Sequence, residues 1–553
     1  MSRDTGTTII VGGVAAGMSA ATRLRRRDEN ARIIVLERGA DVSFANCGLP
    51  YHLSDVIPER SALVLQTPER LGRRFGLDVR VRSEVVAIDR AAKTVTVRRA
   101  DGAEYSEGYD QLVLAMGAAP VRPAIPGVER AHVLRDLADL DGIVAGLDAG
   151  ARSAVVMGAG YVGIEVAENL VKRGLAVTVV QSAPQVLGTL DAEMAHPVAE
   201  RMRAHGVDLR LATTATAVGA DTVMLDDGTA VAADLVVAAV GVRPDTGIAA
   251  EAGLTIGATG GIAVDARLRT DDPAIHALGD VAEKVDARTG AARLVALAGP
   301  ANRQGRLVAD IIAGDEVDDR ALVGTAIISV FGLAAASVGA TERELRAAGM
   351  PVRVIHTHPT QHAGYYPGAT SLSLKLLVDP ATDAILGAQA VGENGVDTRV
   401  DVLATAMAGG IPASGLMDLE LAYAPQFGSA KDPINMLGYV ADNLRAGLDR
   451  SIQWHELERE LEAGATFLDV RAKGQLAEGS IPGAEWVPVE ELRARVDDLR
   501  GRRVVVHCRV GQGAHTALRL LLQEGVDAVN LDGGFVTWAA GTAAESVLAP
   551  MAA

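Results

Sequence analysis

Two cysteines in 553 residues, Cys47 and Cys508, exclude a disulfide scaffold and fit a reducing compartment, so a cytoplasmic location is expected. Aromatic side chains are scarce at 3%, whereas glycine reaches 60 residues and the hydrophobic share is 49%. That balance suits an α/β protein with close backbone packing and excludes a fibrous or disordered chain. No run of about 18 apolar residues is free of charge and turn formers, so no transmembrane helix is expected. The apolar stretch from Thr8 to Ala21 carries three glycines and is followed, not preceded, by its basic cluster, the reverse of a signal peptide. Cations are outnumbered, and the net charge of -17 disfavours nucleic acid and anionic membranes as partners. The length calls for three or four domains.

What is present begins with a βαβ pattern. A buried strand over residues 8–11 leads into Gly12-Gly13-Val14-Ala15-Ala16-Gly17, a helix to about Arg27, and a strand over residues 32–36 ending in Glu37. Such a turn lets the backbone approach a pyrophosphate at a helix N-terminus, and Glu37 is placed to accept hydrogen bonds from a ribose. Val14 stands where the middle glycine is usual. The pattern returns about 145 residues later in full GxGxxG form, Gly158-Ala159-Gly160-Tyr161-Val162-Gly163, with a strand over residues 176–180 ending at Gln181. Two units imply two dinucleotides. Gln181 is no acid, but no Arg or Lys follows closely to hold a 2′-phosphate, which favours NADH with NADPH possible.

Cys47, in Ser43-Phe44-Ala45-Asn46-Cys47-Gly48-Leu49-Pro50, has no second cysteine nearby. As a redox group it must react with an outside sulfur or oxygen: a thiol compound, a sulfane sulfur species or an oxidant. His356, His358 and His362 lie close together in sequence, but alternation along a strand puts His356 and His358 on one polar face, and no cysteine or paired carboxylate completes a site, so no metal is expected.

The segments Leu114-Ala115-Met116-Gly117-Ala118-Ala119-Pro120, Val240-Gly241-Val242-Arg243-Pro244 and the run from Thr270 to Asp280, set around the two turns, resemble the pyridine nucleotide-disulfide oxidoreductases with two dinucleotide folds. The resemblance covers residues 1 to about 445 and implies FAD in the first unit and NAD(P)H in the second. It implies cofactor contacts at Gly12, Gly13, Ala15, Ala16, Gly17, Glu37, Arg38, Ala115, Gly158, Gly160, Tyr161, Gly163, Gln181, Gly241, Gly279 and Asp280. Asp280 would bond the ribityl chain, a helix beginning near Gly279 would face the FAD pyrophosphate, and Glu165 would lie near the nicotinamide and the flavin N5.

Within that family the run from Ser43 to Tyr51 is similar to the coenzyme A-disulfide reductases and their persulfide-reducing relatives. Gly364-Tyr365-Tyr366-Pro367-Gly368 and Ala422-Tyr423-Ala424-Pro425 add to it, because two tyrosines of the family's dimerisation domain reach the partner subunit's cysteine; Tyr365 and Tyr423 match best, with Tyr366 the fallback. A homodimer is implied. Arg23 and Arg26, one turn apart on the first helix, are candidates for the phosphates of coenzyme A, a substrate or bound ligand. Ser19, Ser43, Asn46, Asn302 and Lys431 join them on the resemblance alone.

From Ser451 the pattern becomes a compact α/β unit. Its landmarks, Thr466-Phe467-Leu468-Asp469-Val470-Arg471, Gly479-Ser480-Ile481-Pro482-Gly483-Ala484, Val504-Val505-Val506-His507-Cys508 and Asp532-Gly533-Gly534-Phe535, resemble a rhodanese domain. The loop after Cys508, followed by a helix from about His515, would aim N–H groups at the sulfur and hold a persulfide. Gly513 stands where many rhodaneses have arginine, and Arg509 is the candidate to supply that charge.

The expected fold is therefore α/β: an FAD-binding domain over residues 1–120 plus 245–325, an NAD(P)H-binding domain over 121–244, an α+β dimerisation domain over 326–445, and a rhodanese-like domain over 455–553. The expected activity is NADH-dependent reduction of coenzyme A persulfide, polysulfide or coenzyme A disulfide through Cys47, with Cys508 delivering sulfane sulfur. An NADH oxidase cycling a sulfenic acid, and a redox sensor or sulfur carrier, are the alternatives.

Overall fold

Successive side chains of a strand point to opposite faces, and the strand Thr7–Val11 uses both. It is the centre of five parallel strands ordered Ile275–Ala277, Gln111–Leu114, Thr7–Val11, Arg32–Leu36 and Asp78–Arg80. Ile9 and Val11 enter one core with Leu112 and Leu114, and Ile10 enters the other with Val35 and Val113. Burial on both faces explains the continuous apolar run in the sequence. The antiparallel strands Ser83–Asp89, Thr94–Arg99 and Glu104–Gly108 close the first core with Val85, Val95 and Val97. The helices Ala15–Arg27 and Ala298–Ile312 close the second with Ala16, Ala20, Leu24, Val308 and Ala309. These helices approach so closely that a Cβ on Gly305 would lie 2.3 Å from the Ala16 carbonyl oxygen.

The computed structural model describes residues 6–286 and 289–547. They fall into two compact units, one made of the described parts of Met1–Gly158, Val162–Thr178 and Ala215–Gly324, the other of Ala159–Tyr161, Val179–Thr214 and Thr325–Ala553. In the first unit the strand Ser153–Met157 pairs in parallel with Leu235–Ala238 and starts the second nucleotide-binding pattern. Its glycine turn duplicates the first. Gly12 and Gly158 both sit at φ 104°, and a Cβ on either would lie 2.3 or 2.4 Å from a carbonyl oxygen, that of Ala115 or Ala239. Only glycine supports that conformation and that approach.

In the second unit an antiparallel sheet runs Ala326–Val330, Leu333–Gly339, Ile385–Gly392, Leu372–Val378, Arg353–Thr357, with the helix Val396–Gly409 against it. A C-terminal sheet of five parallel strands follows, ordered Ser451–Ile452, Asp527–Leu531, Arg503–His507, Thr466–Asp469, Glu485–Trp486. Its last helix, Gly534–Ser546, packs on the helix Ala192–Ala204. Among the described residues no helix is long and apolar enough to cross a membrane.

Two expected helix starts are corrected. Gly279 adopts φ 73° and opens only a short 3-10 turn, Gly279–Val281, before the strand Ala282–Val285; the helix lies further on, from Ala298. After Cys508 the helix begins at Gln512, not near His515, because Gly511, at φ 93°, turns the chain at once. Gly513 therefore lies in the first helical turn.

Candidate active site

Four features of the first unit converge on a nucleotide cradle. The helix starting at Ala15 has no side-chain cap, so its first N–H groups are open to an anion. Ala16, in its first turn, faces Gly279, whose Cβ would lie 3.2 Å from that of Ala16. Glu37 ends its strand with both carboxylate oxygens in use, accepting from the Gly13 N–H at 2.8 Å and the Gly39 N–H at 2.7 Å. A cleft of about 100 Å³ opens beside it, lined by Gly12, Glu37, Arg38, Ser83, Met116 and Asp245, with Arg38 paired to Asp245 at 2.7 Å. These residues fit FAD: a glycine turn too tight for any Cβ, an uncapped helix start for pyrophosphate, and an acid beside a cleft for the ribose. Ala115 donates its N–H to Val11 in the floor of the turn, and Gly241 accepts from the Val121 N–H.

Cys47 lies in the 3-10 turn Asn46–Gly48 and is exposed. Protein atoms still crowd one side: burial first, then the charges of Glu165 and Asp280, pushes its thiol up. Asp280 and Glu165 are themselves pushed up by burial, Asp280 against the opposing pull of Arg135 and Lys284. Tyr51, one turn beyond Cys47, donates its hydroxyl to Glu165 at 3.1 Å. Tyr51 and Lys284 were not expected here. Lys284 donates to the Gly279 carbonyl at 3.3 Å, and burial brings its ammonium down to about 8. Tyr51 closes the run from Ser43 that the sequence singles out, whereas Lys284 belongs to no glycine turn or charge cluster there.

At the second turn, within the first unit, a Cβ on Gly163 would lie 2.1 Å from the Gly158 oxygen, as one on Gly17 would lie 1.9 Å from that of Gly12. Nothing lies within 4 Å of a Cβ on Gly160, so the middle position faces open space, and Val14 at the matching place is accommodated. Within the second unit Ala159 donates its N–H to Gln181 at 2.9 Å, the counterpart of Gly13 and Glu37, and Tyr161 bonds Thr189 at 2.9 Å.

The expected substrate contacts separate into groups. Ser19 donates to Asn302 at 2.6 Å although they are far apart in sequence. Asn46 donates to the Arg135 carbonyl at 3.1 Å. Ser43, in the loop before the Cys47 turn, holds φ 48°, a left-handed backbone that costs a residue other than glycine. Arg23 is neutralised by Asp310 at 2.7 Å, and exposed Arg26 lies over the Phe75 ring, so the two arginines have separate partners. Arg25 is buried among backbone carbonyls. In the second unit Lys431 is exposed, and Tyr365 and Tyr423, 77% and 48% exposed, share a hydrogen bond at 3.2 Å between their hydroxyls. Tyr366 instead stands edge-on to His362.

Cys508 follows its strand directly and is buried; the Gly511 N–H donates to its sulfur at 3.2 Å. A Cβ on Gly513 would lie 3.5 Å from that sulfur, an ordinary contact. The expected charge from Arg509 is met by Glu478, whose two oxygens accept from its Nε at 2.8 and 2.7 Å. His507 is held neutral by burial, with its pKa near 4, and the ion pair of Asp469 with buried Arg471 at 2.6 Å braces the neighbouring strand end.

Two glycine turns of one geometry, an exposed cysteine in the first unit and a buried one in the second are the features to compare with known proteins. Residues 6–305 match the model of the pyridine nucleotide-disulphide oxidoreductase family, residues 325–432 its dimerisation domain, and residues 453–541 the rhodanese-like domain. The chain belongs to the FAD-dependent pyridine nucleotide-disulphide oxidoreductase family and is an oxidoreductase. It is 34% identical to the coenzyme A disulfide reductase of Staphylococcus aureus over 436 residues, 78% of this chain and 99% of that protein. Reduced CoADR-RHD of Bacillus anthracis superposes with a TM-score of 0.95 at 42% identity, covering 97% of this chain and 98% of that one. An NAD-dependent persulfide reductase from A. fulgidus gives 0.89 at 35% identity, covering 96% and 100%.

Proposed function

We propose that this chain is a homodimeric flavin enzyme that uses NADH to reduce coenzyme A persulfide, polysulfide or coenzyme A disulfide at Cys47, with Cys508 supplying sulfane sulfur. The observation that carries the reading is the exposed Cys47, without a second cysteine in its compact unit, whose thiol is raised by burial and then by the charges of Glu165 and Asp280. Bound FAD would accept a hydride equivalent from the nicotinamide and pass two electrons to sulfur. The division into an FAD domain (1–120 plus 245–325), an NAD(P)H domain (121–244), a dimerisation domain (326–445) and a rhodanese-like domain (455–553) is part of the proposal.

Cys47 gives up its proton as its sulfur attacks the coenzyme A sulfur of the persulfide, hydrogen sulfide leaves, and a mixed disulfide with coenzyme A remains; two electrons and two protons then return the Cys47 thiol and free coenzyme A. Burial first, then the charges of Glu165 and Asp280, disfavours a standing thiolate, so the proton of Cys47 leaves with the departing sulfur. The exposed hydroxyls of Tyr365 and Tyr423 from a second copy are the proposed proton donors to the departing thiolate. Ser19 and Asn302, already bonded to each other, with Arg23, Arg26, Ser43, Asn46 and Lys431, are the proposed coenzyme A contacts.

The test is anaerobic NADH oxidation with coenzyme A persulfide and, separately, coenzyme A disulfide, with released sulfide assayed. Sulfide release lost in Cys47→Ser supports the reading. Oxygen reduction to water at full rate in Cys47→Ser, with no turnover of either sulfur substrate by the wild type, would replace it with an oxidase.

A further inference from the structure

The second unit buries a charge cluster that the redox chemistry above does not use. Lys375, fully buried, places its ammonium 2.9 Å from Asp191, 2.5 Å from Glu193 and 2.6 Å from Glu342. These three carboxylates converge as metal ligands would, and the Lys375 ammonium is the cation they hold. Glu193 also meets Nε2 of His356 at 3.2 Å, and Nδ1 of His356 meets Asp532 at 2.7 Å. Alternation along the strand suggested a polar face for His356 and His358; the structure buries His356 within this cluster and bonds His358 to Ser373 and Thr537.

Asp532 belongs to the rhodanese-like domain and His356 to the antiparallel sheet. Asp532 accepts the backbone N–H of His356 at 3.0 Å and the Gln453 amide at 3.2 Å, so both of its neighbours are held. The two residues after it are glycines at φ 66° and 59°. A Cβ on Gly533 would lie 2.8 Å from the His356 Cβ, and one on Gly534 would lie 2.4 Å from the Cys508 carbonyl oxygen. The next two N–H groups, of Phe535 and Val536, donate to the carbonyls of Cys508 and Arg509 at 2.9 and 3.1 Å. One continuous path of contacts thus runs from Glu193 through His356, Asp532 and the glycine pair to the backbone that carries Cys508.

We propose that His356 is a positioning residue for the sulfur site at Cys508, fixing from the antiparallel sheet the turn that backs the Cys508 loop. The proposal rests on reading Cys508 as a sulfur carrier. The C-terminal domain is then docked in one register, and its loop geometry depends on a residue outside that domain. The charged and titratable groups facing His356 are Glu193 from its helix, Asp532 from the turn, Lys375 from the adjacent strand, and His358 two residues on.

The test uses the full-length holoenzyme as wild type, His356→Gln and the conservative Asp532→Asn, with iodoacetamide labelling of Cys508 and Cys47 read separately by peptide mass. His356→Gln is expected to speed Cys508 labelling on the order of tenfold by local opening, with Cys47 labelling unchanged. It is expected to lower kcat for sulfur transfer from a sulfane donor and displace its pH profile, with Asp532→Asn intermediate. Wild-type Cys508 labelling and an unchanged sulfur-transfer pH profile in folded His356→Gln would overturn the proposal; should that variant not fold, the same result in Asp532→Asn would do so. Cys508→Ser separates the two readings: full sulfide output from sulfane donors in Cys508→Ser would remove the carrier role, while the labelling change in His356→Gln would still report the positioning contact.

Discussion

Tyr51 donates its hydroxyl to Glu165 at 3.1 Å and is the first of three links from the Cys47 segment to one face of the helix Tyr161–Lys172 and its end. Ser54 bonds Asn169 at 2.5 Å, and Asp55 pairs with Arg173. Residues 165, 169 and 173 recur at the four-residue spacing that shares a helix face. The segment that follows Cys47 is thereby tied to the helix that follows the second glycine turn.

Glu165 sets part of the resistance of Cys47 to ionisation, since its charge is the second cause, after burial, that raises the thiol. Glu165→Gln removes that charge, so the Cys47 pKa falls and labelling at neutral pH accelerates by about three- to tenfold. Tyr51→Phe removes the hydrogen bond but leaves the charge, and Cys47 labelling stays near wild type. Iodoacetamide labelling rates across pH check both.

Gln181 takes the Ala159 N–H as Glu37 takes that of Gly13, with an amide in place of a carboxylate. If Gln181 contacts the nicotinamide nucleotide's ribose as proposed, Gln181→Glu would set a negative charge that repels a 2′-phosphate. The preference for NADH over NADPH, as the ratio of kcat/KM values, should rise by at least about tenfold. Steady-state kinetics with both nucleotides decides it.

Lys375 is the cation shared by three buried carboxylates, so Lys375→Met leaves them uncompensated. A loss of about 3–5 kcal/mol in the stability of the second unit is expected, visible as a lower Tm by calorimetry.

Burial opposes a charged His356, but its hydrogen bonds to Asp532 and Glu193 prevail and hold its pKa up at about 9, above the ordinary value near 6.5. A raised folded pKa gives stability that is fully present below about pH 6.5 and is lost as pH rises through about 9, a contribution of about 3 kcal/mol. Lys375 and His356 hold Glu193 below the usual carboxylate range despite burial, so its contribution is present above the ordinary glutamate pKa and is lost only as pH falls into the acid range. Thermal midpoints measured against pH should decline on the alkaline side, and His356→Gln should flatten that decline.

Arg509 is tied by Glu478, which cancels the one cation in the loop beside Cys508. Glu478→Gln should release that charge and raise sulfur transfer from thiosulfate, a dianion, several-fold while changing transfer from a monoanionic persulfide less. Parallel assays with the two donors measure the difference.

Both glycine turns and the order of the folds were readable in the chain, because turns and buried strands depend on local backbone rules. A turn at φ 104° pressed against a carbonyl admits only glycine, and a strand buried on both faces must be apolar throughout. Helix starts were less readable: Gly279 opens a short turn and Gly511 starts a helix early, since a left-handed glycine can serve either end. Partners of charge and hydroxyl belonged to the tertiary structure alone. Tyr51 finds Glu165 across 114 positions, Arg23 finds Asp310 across 287, and His356 finds Asp532 across 176. Sequence patterns encode which face of an element is apolar, whereas the group opposite a buried or half-buried polar atom is chosen only when separate elements pack.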